Sequence, residues 1–277
     1  MSRSKVIVLG GSGFIGGAIA DGLSRRGFSV EKISSKELDL CDEQSIPKLR
    51  RIFSPDAKVV FASAKAPVKN TAMLLDNIKM ADNFCRAYSE SSGIKYLLYV
   101  SSDAVFADSN ELISESYFKA PDSLHGVMHL AREICFSNLG VGLGVIRPTL
   151  VYGPGDPHNG YGPNKFMRLV NEGKDVVLFG KGEERRDHIF IGDVAEIAVR
   201  MVEGNICESF NAVSGEVISF ADVAKRVVTY RQSSVRIIET GRNGPMPHGG
   251  YRAFDNRKIF QFFPDIKISK FDDSLFS

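Results

Sequence analysis

The chain has 277 residues, 43% of them apolar and 25% charged, with a formal net charge of +2. That length allows one large α/β domain or a domain with a smaller lobe, and so small a charge excludes the broad basic field of a nucleic-acid binder. No stretch approaches the ~20 apolar residues of a membrane span, Val6–Leu9 is too short for a signal-peptide core, and Cys41, Cys85, Cys135 and Cys207 form no CxxC pair; the expectation is a cytoplasmic protein with free thiols, no metal, and no nucleic-acid or membrane partner.

In chain order, Val6–Leu9 reads as a strand, Phe14–Arg26 as a helix and Phe28–Ile33 as a second strand. Ser45–Phe53 is a helix, Lys58–Ala62 a strand, Thr71–Ser91 a long helix, Tyr96–Val100 a strand, Ser123–Leu139 a helix and Val141–Ile146 a strand. Apolar strands alternating with helices predict an α/β fold, a Rossmann-type doubly wound parallel sheet with its ligand crevice at the carboxyl ends of the strands. After Pro148 the Gly- and Pro-rich "VYGPGDPHNGYGPNK" interrupts regular structure. Helix Lys165–Glu172, strand Val176–Phe179, a polar turn, helices Asp193–Glu203 and Phe220–Tyr230 and an irregular tail follow. The predicted division is a dinucleotide-binding domain over 1–152, with a returning segment near 188–212, and a smaller C-terminal substrate-binding lobe over 153–277.

"VIVLGGSGFIGGAIA" joins the first strand to the first helix. Gly11, Gly13 and Gly16 fit G-x-G-x-x-G, and Gly10, Gly13 and Gly16 fit the related G-x-x-G-x-x-G. Early glycines allow a tight turn, Gly13 lets backbone approach a pyrophosphate, and Gly16 allows close helix–strand packing. The helix start at Phe14 and Ile15 offers free N–H groups and a positive dipole end. The second strand ends at Ser34, Ser35 and Lys36 without an acidic residue. Ser34 and Lys36 could hold a 2′-phosphate, which leans the expected cofactor, NAD or NADP, toward NADP; a solvated surface role for Lys36 is the alternative.

Further segments select a family. "LDLCD" (38–42), "PDAKVVFASA" (55–64), Asn77, "YVSSDAVFA" (99–107), "IRPTLVYGPGD" (146–156), "FGKGEERRDHIFIGDVAEIA" (179–198) and "ESFNAVSGEVISFADVA" (208–224) follow one another as in extended short-chain dehydrogenases/reductases. Nearly the whole chain resembles the NAD-dependent epimerase/dehydratase branch, which acts on nucleotide sugars. The resemblance implies that Gly10, Gly13 and Gly16 receive the pyrophosphate, that Asp39 and Leu40 flank the adenine, and that Ala62, Ser63 and Ala64 line the cofactor. It implies that Ser102 hydrogen-bonds the reacting sugar oxygen and that Arg186 pairs with the substrate diphosphate, with Asn164 and Arg252 as looser matches. A guanidinium suits phosphate geometry; a surface salt bridge with Asp187 or Glu183 is the alternative for Arg186.

One departure falls on the catalytic dyad. The family frame P-x-x-x-Y-G-x-x-K reads here Pro121, His125–Gly126, His129, with Glu133 following. A tyrosine, which ordinarily ionises near pH ~10, needs help to do so at neutrality, whereas histidine at ~6.5 suits general-base work unaided. His125 could take the proton of a sugar hydroxyl, and a neutral His129 could still bond a cofactor ribose hydroxyl. A degenerate pocket that binds dinucleotide without chemistry, and metal binding by H-x₃-H without a visible third ligand, are the other readings. The family's dehydratases carry Asp-Glu after the Ser/Thr; here Asp103 precedes Ala104, which argues against dehydration and leaves Asp103 as a substrate contact or a loop cap. The expected function is therefore an NAD(P)-dependent nucleotide-sugar epimerase or 4-keto reductase with a Ser102/His125/His129 site, or a catalytically degenerate NAD(P)-binding regulatory or scaffold protein.

Helices Thr71–Ser91 and Ser123–Leu139 are apolar around much of their circumference, Leu75, Ile78, Phe84, Val127, Met128 and Ile134 among them. A face left over after packing on the sheet predicts a homodimer, as in the resembling family; loops over that face are the alternative. His158, His188 and His248 lie in polar or turn-like segments and are expected to be exposed or at a substrate rim.

Overall fold

The computed structural model describes residues 5–157 and 159–274, so His158 lies outside the described residues. The chain divides into two compact units: one runs to Ala107 and takes in Ser116–Pro148 and Val194–Phe210, and the other comprises Asp108–Glu115, Thr149–Asp193 and the chain from Asn211. Residues 108–115, which the sequence placed with the dinucleotide domain, belong to the second unit.

The first unit is built on β1 (Lys5–Leu9), α1 (Phe14–Arg25), β2 (Ser29–Ile33), α2 (Ser45–Ile52), β3 (Lys58–Phe61), α3 (Thr71–Ser89), β4 (Tyr96–Val100), α4 (Leu124–Ser137) and β5 (Leu143–Pro148). Its sheet has the order β2-β1-β3-β4-β5, with every pair parallel, and continues to β9 (Ser209–Ala212). The order reverses direction at β1, so the crevice between the carboxyl ends of β1 and β3 is the topological switch point. Alternation along the strands sorts the core. Ile7, Leu9, Val59, Phe61, Leu97 and Tyr99 share one cluster with apolar residues of α2, α3 and α4, because successive side chains of a strand point to opposite faces. β2, expected to be buried on both faces, is only partly covered, as an edge strand must be.

The second unit holds β6 (Leu150–Tyr152), α5 (Pro163–Asn171), β7 (Val176–Leu178) and β8 (Arg185–Phe190), with α6 (Ile191–Gly204) leading back into the first unit. Beyond β9 come β10 (Val217–Ser219), α7 (Phe220–Tyr230), β11 (Ile237–Glu239), β12 (Tyr251–Arg252), α8 (Arg257–Phe262) and α9 (Phe271–Ser274). β8 is the centre: β10 pairs with it antiparallel, β6 and β12 parallel. It occupies the segment read from sequence as a polar turn. That reading fails because Arg185, Arg186 and Asp187 mask the strand period, while their polar groups find partners: Asp187 accepts from Thr149 Oγ1 (3.0 Å), Ser214 N (3.0 Å) and Gly215 N (2.7 Å). His188 is corrected with it: the imidazole is 2% exposed, facing Phe220 and Phe271.

Candidate functional site

At the switch point the chain leaves β1 through Gly10, whose φ of +84° is left-handed. The Gly10 amide donates to Ile33 O (2.8 Å) and its carbonyl accepts from Gly13 N (2.9 Å). A Cβ on Gly16 would fall well inside contact with Gly10 O and 3.2 Å from Ala62 Cβ, so only glycine lets α1 start this close to β1 and β3. Gly13 caps α1 without a side-chain hydrogen bond, leaving the half-buried first turn, Phe14 and Ile15, to offer its amides to an anion. Ala62 and Ser63 are half-buried and Ala64 exposed at the end of β3. This cradle, shaped where a Cβ would fill it, fits a dinucleotide pyrophosphate.

At the end of β2 the structure differs from expectation. The Ser34 amide (2.8 Å) and hydroxyl (2.7 Å) both donate to Glu37 Oε2, so they are not free to hold a 2′-phosphate. Those two bonds hold the Glu37 carboxyl below its usual range. Lys36 and Asp39 are exposed, Asp39 Oδ1 accepting from Cys41 N (2.9 Å), while Leu40 is buried in the core. Glu37 was missed because it lies four residues past the strand and only the turn at Ser34 brings it back.

Beyond β4, Ser102 caps a single 3-10 turn, Asp103–Val105. Its Oγ accepts from Ala104 N (3.2 Å) and donates to Asp103 Oδ1 (3.2 Å); the cap is Ser102, and Asp103 is its acceptor. α4 starts at Ser123, whose side chain accepts from Gly126 N (3.1 Å). A Cβ on Gly126 would overlap Ala104 O and lie 2.6 Å from Pro121 Cβ. Gly126→Ala should therefore push α4 off the Ser102 turn and cost about 1–3 kcal/mol, visible as a lower urea midpoint; an unchanged midpoint would mean the turn yields freely.

The two dyad-position histidines stand together, ring centroids 4.6 Å apart and planes perpendicular. His125 is half-buried with its Nδ1 enclosed and without a partner. Burial pushes its imidazole down, opposed by the Asp103 charge. His129 is 5% exposed, its Nδ1 lying 2.7 Å from Tyr99 Oη, and burial drives its pKa well below the usual histidine range. Arg132, one helical turn on, is fully buried and donates to Ser63 O (2.8 Å) and Asn77 O (2.9 Å). Glu133 accepts from Ser101 Oγ (2.7 Å), Arg147 Nε (2.8 Å) and Lys119 Nζ (2.9 Å). Sequence reasoning missed Tyr99 and Arg132; the available signal was an arginine on the buried face of an apolar helix.

In the second unit, β12 sets Arg252 opposite Arg186 of β8, so the structure does bring these two expected anion-binding residues together. Arg186 bonds Glu184 (3.1 Å), not the Asp187 or Glu183 of the alternative reading, and the 1%-exposed Arg252 bonds Asp108 (2.6 Å). Asp108 also accepts from His248 Nδ1. Asn164 accepts from Gly153 N (3.0 Å), donates to Asp156 (2.7 Å) and lines a cavity of about 310 Å³ with Tyr152, Met167, Arg168 and Arg231. Neither Arg186 nor Arg252 lines that cavity. Among the described residues no group of three His, Cys, Asp or Glu could hold a metal, and no helix is long and apolar enough to cross a membrane.

Comparison with known proteins gives a family model, described as the NAD dependent epimerase/dehydratase family, that matches residues 6–212. A UDP-N-acetyl-alpha-D-glucosaminuronate decarboxylase of Bacillus cytotoxicus is 23% identical over 313 aligned positions, covering 95% of this chain and 94% of that protein. Among solved structures, a UDP-N-acetylglucosamine 4-epimerase from Methanobrevibacter ruminantium superposes with a TM-score of 0.86 at 21% identity, over 99% and 96% of the two chains. The Thermus thermophilus UDP-glucose 4-epimerase in complex with NAD gives 0.84 at 23% identity, over 98% and 96%.

Proposed function

The chain belongs to the NAD dependent epimerase/dehydratase family, and from that premise we propose that it is a nicotinamide-dependent epimerase or 4-keto reductase of a nucleotide-diphosphate sugar. The observation that carries the reading is the glycine cradle at the switch point, with Ser102, His125 and His129 in the same unit. The relatives named above act, by their names, on UDP-sugars, which supports that substrate class.

The Gly10–Gly16 turn and the α1 amides would hold the pyrophosphate, and Ala62–Ala64 would line the cofactor. A nicotinamide held there would supply the hydride chemistry at the sugar carbon. Ser102 orients the sugar oxygen, and His125, kept neutral by burial, is suited to take its proton as hydride leaves. Arg186 and Arg252, on paired strands, would bind the diphosphate in competition with Glu184 and Asp108. The Glu37 carboxylate at the end of β2 repels a 2′-phosphate and supports NAD over NADP, the reverse of the lean drawn from Ser34 and Lys36; a lower Kd for NADP than for NAD would refute it.

Turnover on a panel of UDP-sugars and their 4-keto forms tests the reaction. His125→Ala should lower kcat roughly a hundredfold with cofactor affinity kept; full activity in that variant removes His125 from the chemistry. The burial of His129 favours a second reading, a dinucleotide-binding module, since a buried neutral ring lacks the charge a dyad lysine supplies. That reading expects NAD affinity without turnover and a rate gain in the double variant His125→Tyr/His129→Lys.

A homodimer belongs to the same proposal. Met80, Phe84, Met128 and Phe136 fill the core, yet Leu75, Val127 and Ile134 stay 61%, 41% and 56% exposed on α3 and α4. Sedimentation equilibrium giving the single-chain mass of 30.4 kDa would refute it.

A further inference from the structure

We infer that Tyr99, buried beside the Arg132 guanidinium, acts as a relay that fixes His129 as its Nε2–H tautomer, making it a neutral hydrogen-bond donor to the cofactor and not a proton acceptor. The inference rests on the nicotinamide-dependent reading above. It follows from counting protons.

Arg132 is a donor only. Its guanidinium is anchored on Ser63 O, Asn77 O and Asn77 Oδ1 (2.9 Å), so its place and charge do not depend on a ligand. Its positive charge lies close to the Tyr99 hydroxyl. An arginine offers no acceptor, so the Tyr99 hydroxyl hydrogen needs one elsewhere. Tyr99 is 0% exposed, so water cannot serve, and an orphaned buried O–H is costly. The hydroxyl's hydrogen-bond partner is His129 Nδ1 at 2.7 Å. Arg132 lacks acceptors, so the hydrogen of Tyr99 goes to Nδ1. A neutral imidazole carries one proton; with Nδ1 accepting, that proton is on Nε2.

Protonation of His129 is opposed from each side. Nδ1 is occupied by a donor, the ring is buried, and both His125 and the Arg132 cation act against a second charge. Burial also pushes the Tyr99 phenol up, so it keeps the proton it donates. The dyad lysine is thus replaced by a donor without charge, and proton exchange with substrate falls to His125 alone. Tyr99 is a positioning residue: it acts through His129.

The test reads the ring itself. In uniformly ¹⁵N-labelled full-length protein at neutral pH, histidine ring correlations should show His129, assigned by its loss in His129→Gln, with Nδ1 unprotonated and Nε2 protonated. Tyr99→Phe, which keeps the core volume, should shift that tautomer toward Nδ1–H and weaken NAD binding about three- to tenfold, the range of one neutral hydrogen bond. His129→Gln, which retains an N–H donor, should bind NAD more tightly than His129→Leu. A wild-type ring protonated on Nδ1 overturns the relay. So does a Tyr99→Phe variant with unchanged tautomer, or equal NAD affinity in the Gln and Leu variants. The predicted tautomer and binding pattern in a protein that turns over no nucleotide sugar would defeat the proposed reaction and support the relay.

Discussion

Glu133→Ala is expected to destabilise the protein by about 3–5 kcal/mol. The carboxylate is 5% exposed and takes two hydrogen bonds from Arg147, through Nε (2.8 Å) and Nη2 (2.9 Å). Burial pushes its carboxyl up, but the Arg147, Ser101 and Lys119 contacts outweigh that and hold it below the usual range. Arg147 is 1% exposed, so removing the carboxylate strands a guanidinium in the interior, and a buried unpaired charge costs far more than a lost surface pair. Lys119 is the internal control. Its side chain is 34% exposed, and Lys119→Ala should cost under about 1 kcal/mol. Urea unfolding of both variants checks the difference; a Glu133→Ala loss no larger than that of Lys119→Ala would show that Arg147 finds another partner. Because Ser101 precedes Ser102, the same variant should loosen the turn that holds the candidate catalytic hydroxyl.

Acid should unfold the protein through His188, with a contribution reaching on the order of 5 kcal/mol. Burial pushes this imidazole down to about 3, with the Arg186 charge adding to the effect. Its Nδ1 is bonded to Arg186 O (3.1 Å), and Nε2 is enclosed without a partner. The unfolded chain takes a proton below pH ~6.5 that the folded chain refuses. The stability is therefore complete above about pH 6.5 and falls steadily as pH drops toward 3; at pH 5 the loss is roughly 2 kcal/mol. Asp187 runs the other way: burial raises its carboxyl to about 6, so the folded state binds the extra proton and gains stability as pH falls through 6. His188→Phe separates the two. It preserves the ring contacts with Phe220 and Phe271, and with Asp187 left alone its stability should rise as pH falls from 7 to 5, whereas that of the wild type should not. Parallel curves would mean that His188 is protonated in the fold.

The contrast between these residues shows what was legible. The Gly10–Gly16 turn, the strand–helix alternation through β5 and the family were readable because each rests on neighbours within a few residues. Boundaries of α1, α3 and α7 follow from the same short-range rules. β8 was not readable, because its charged residues hide a two-residue period and one of them, Asp187, is satisfied by the distant Thr149, Ser214 and Gly215.

The dyad shows the same limit at atomic scale. That histidines stand where the family carries Tyr and Lys is a fact of the sequence alone, as is Gly126 between them. Which nitrogen of His129 holds the proton, whether Ser34 is free, and what neutralises Arg252 were decided by partners 30, 3 and 144 residues away. Periodicity and turn chemistry act along the chain, so the sequence determined the elements and the cradle. Burial and proton placement are set by whatever the fold brings against a group in a medium without water, and only the tertiary structure could decide them.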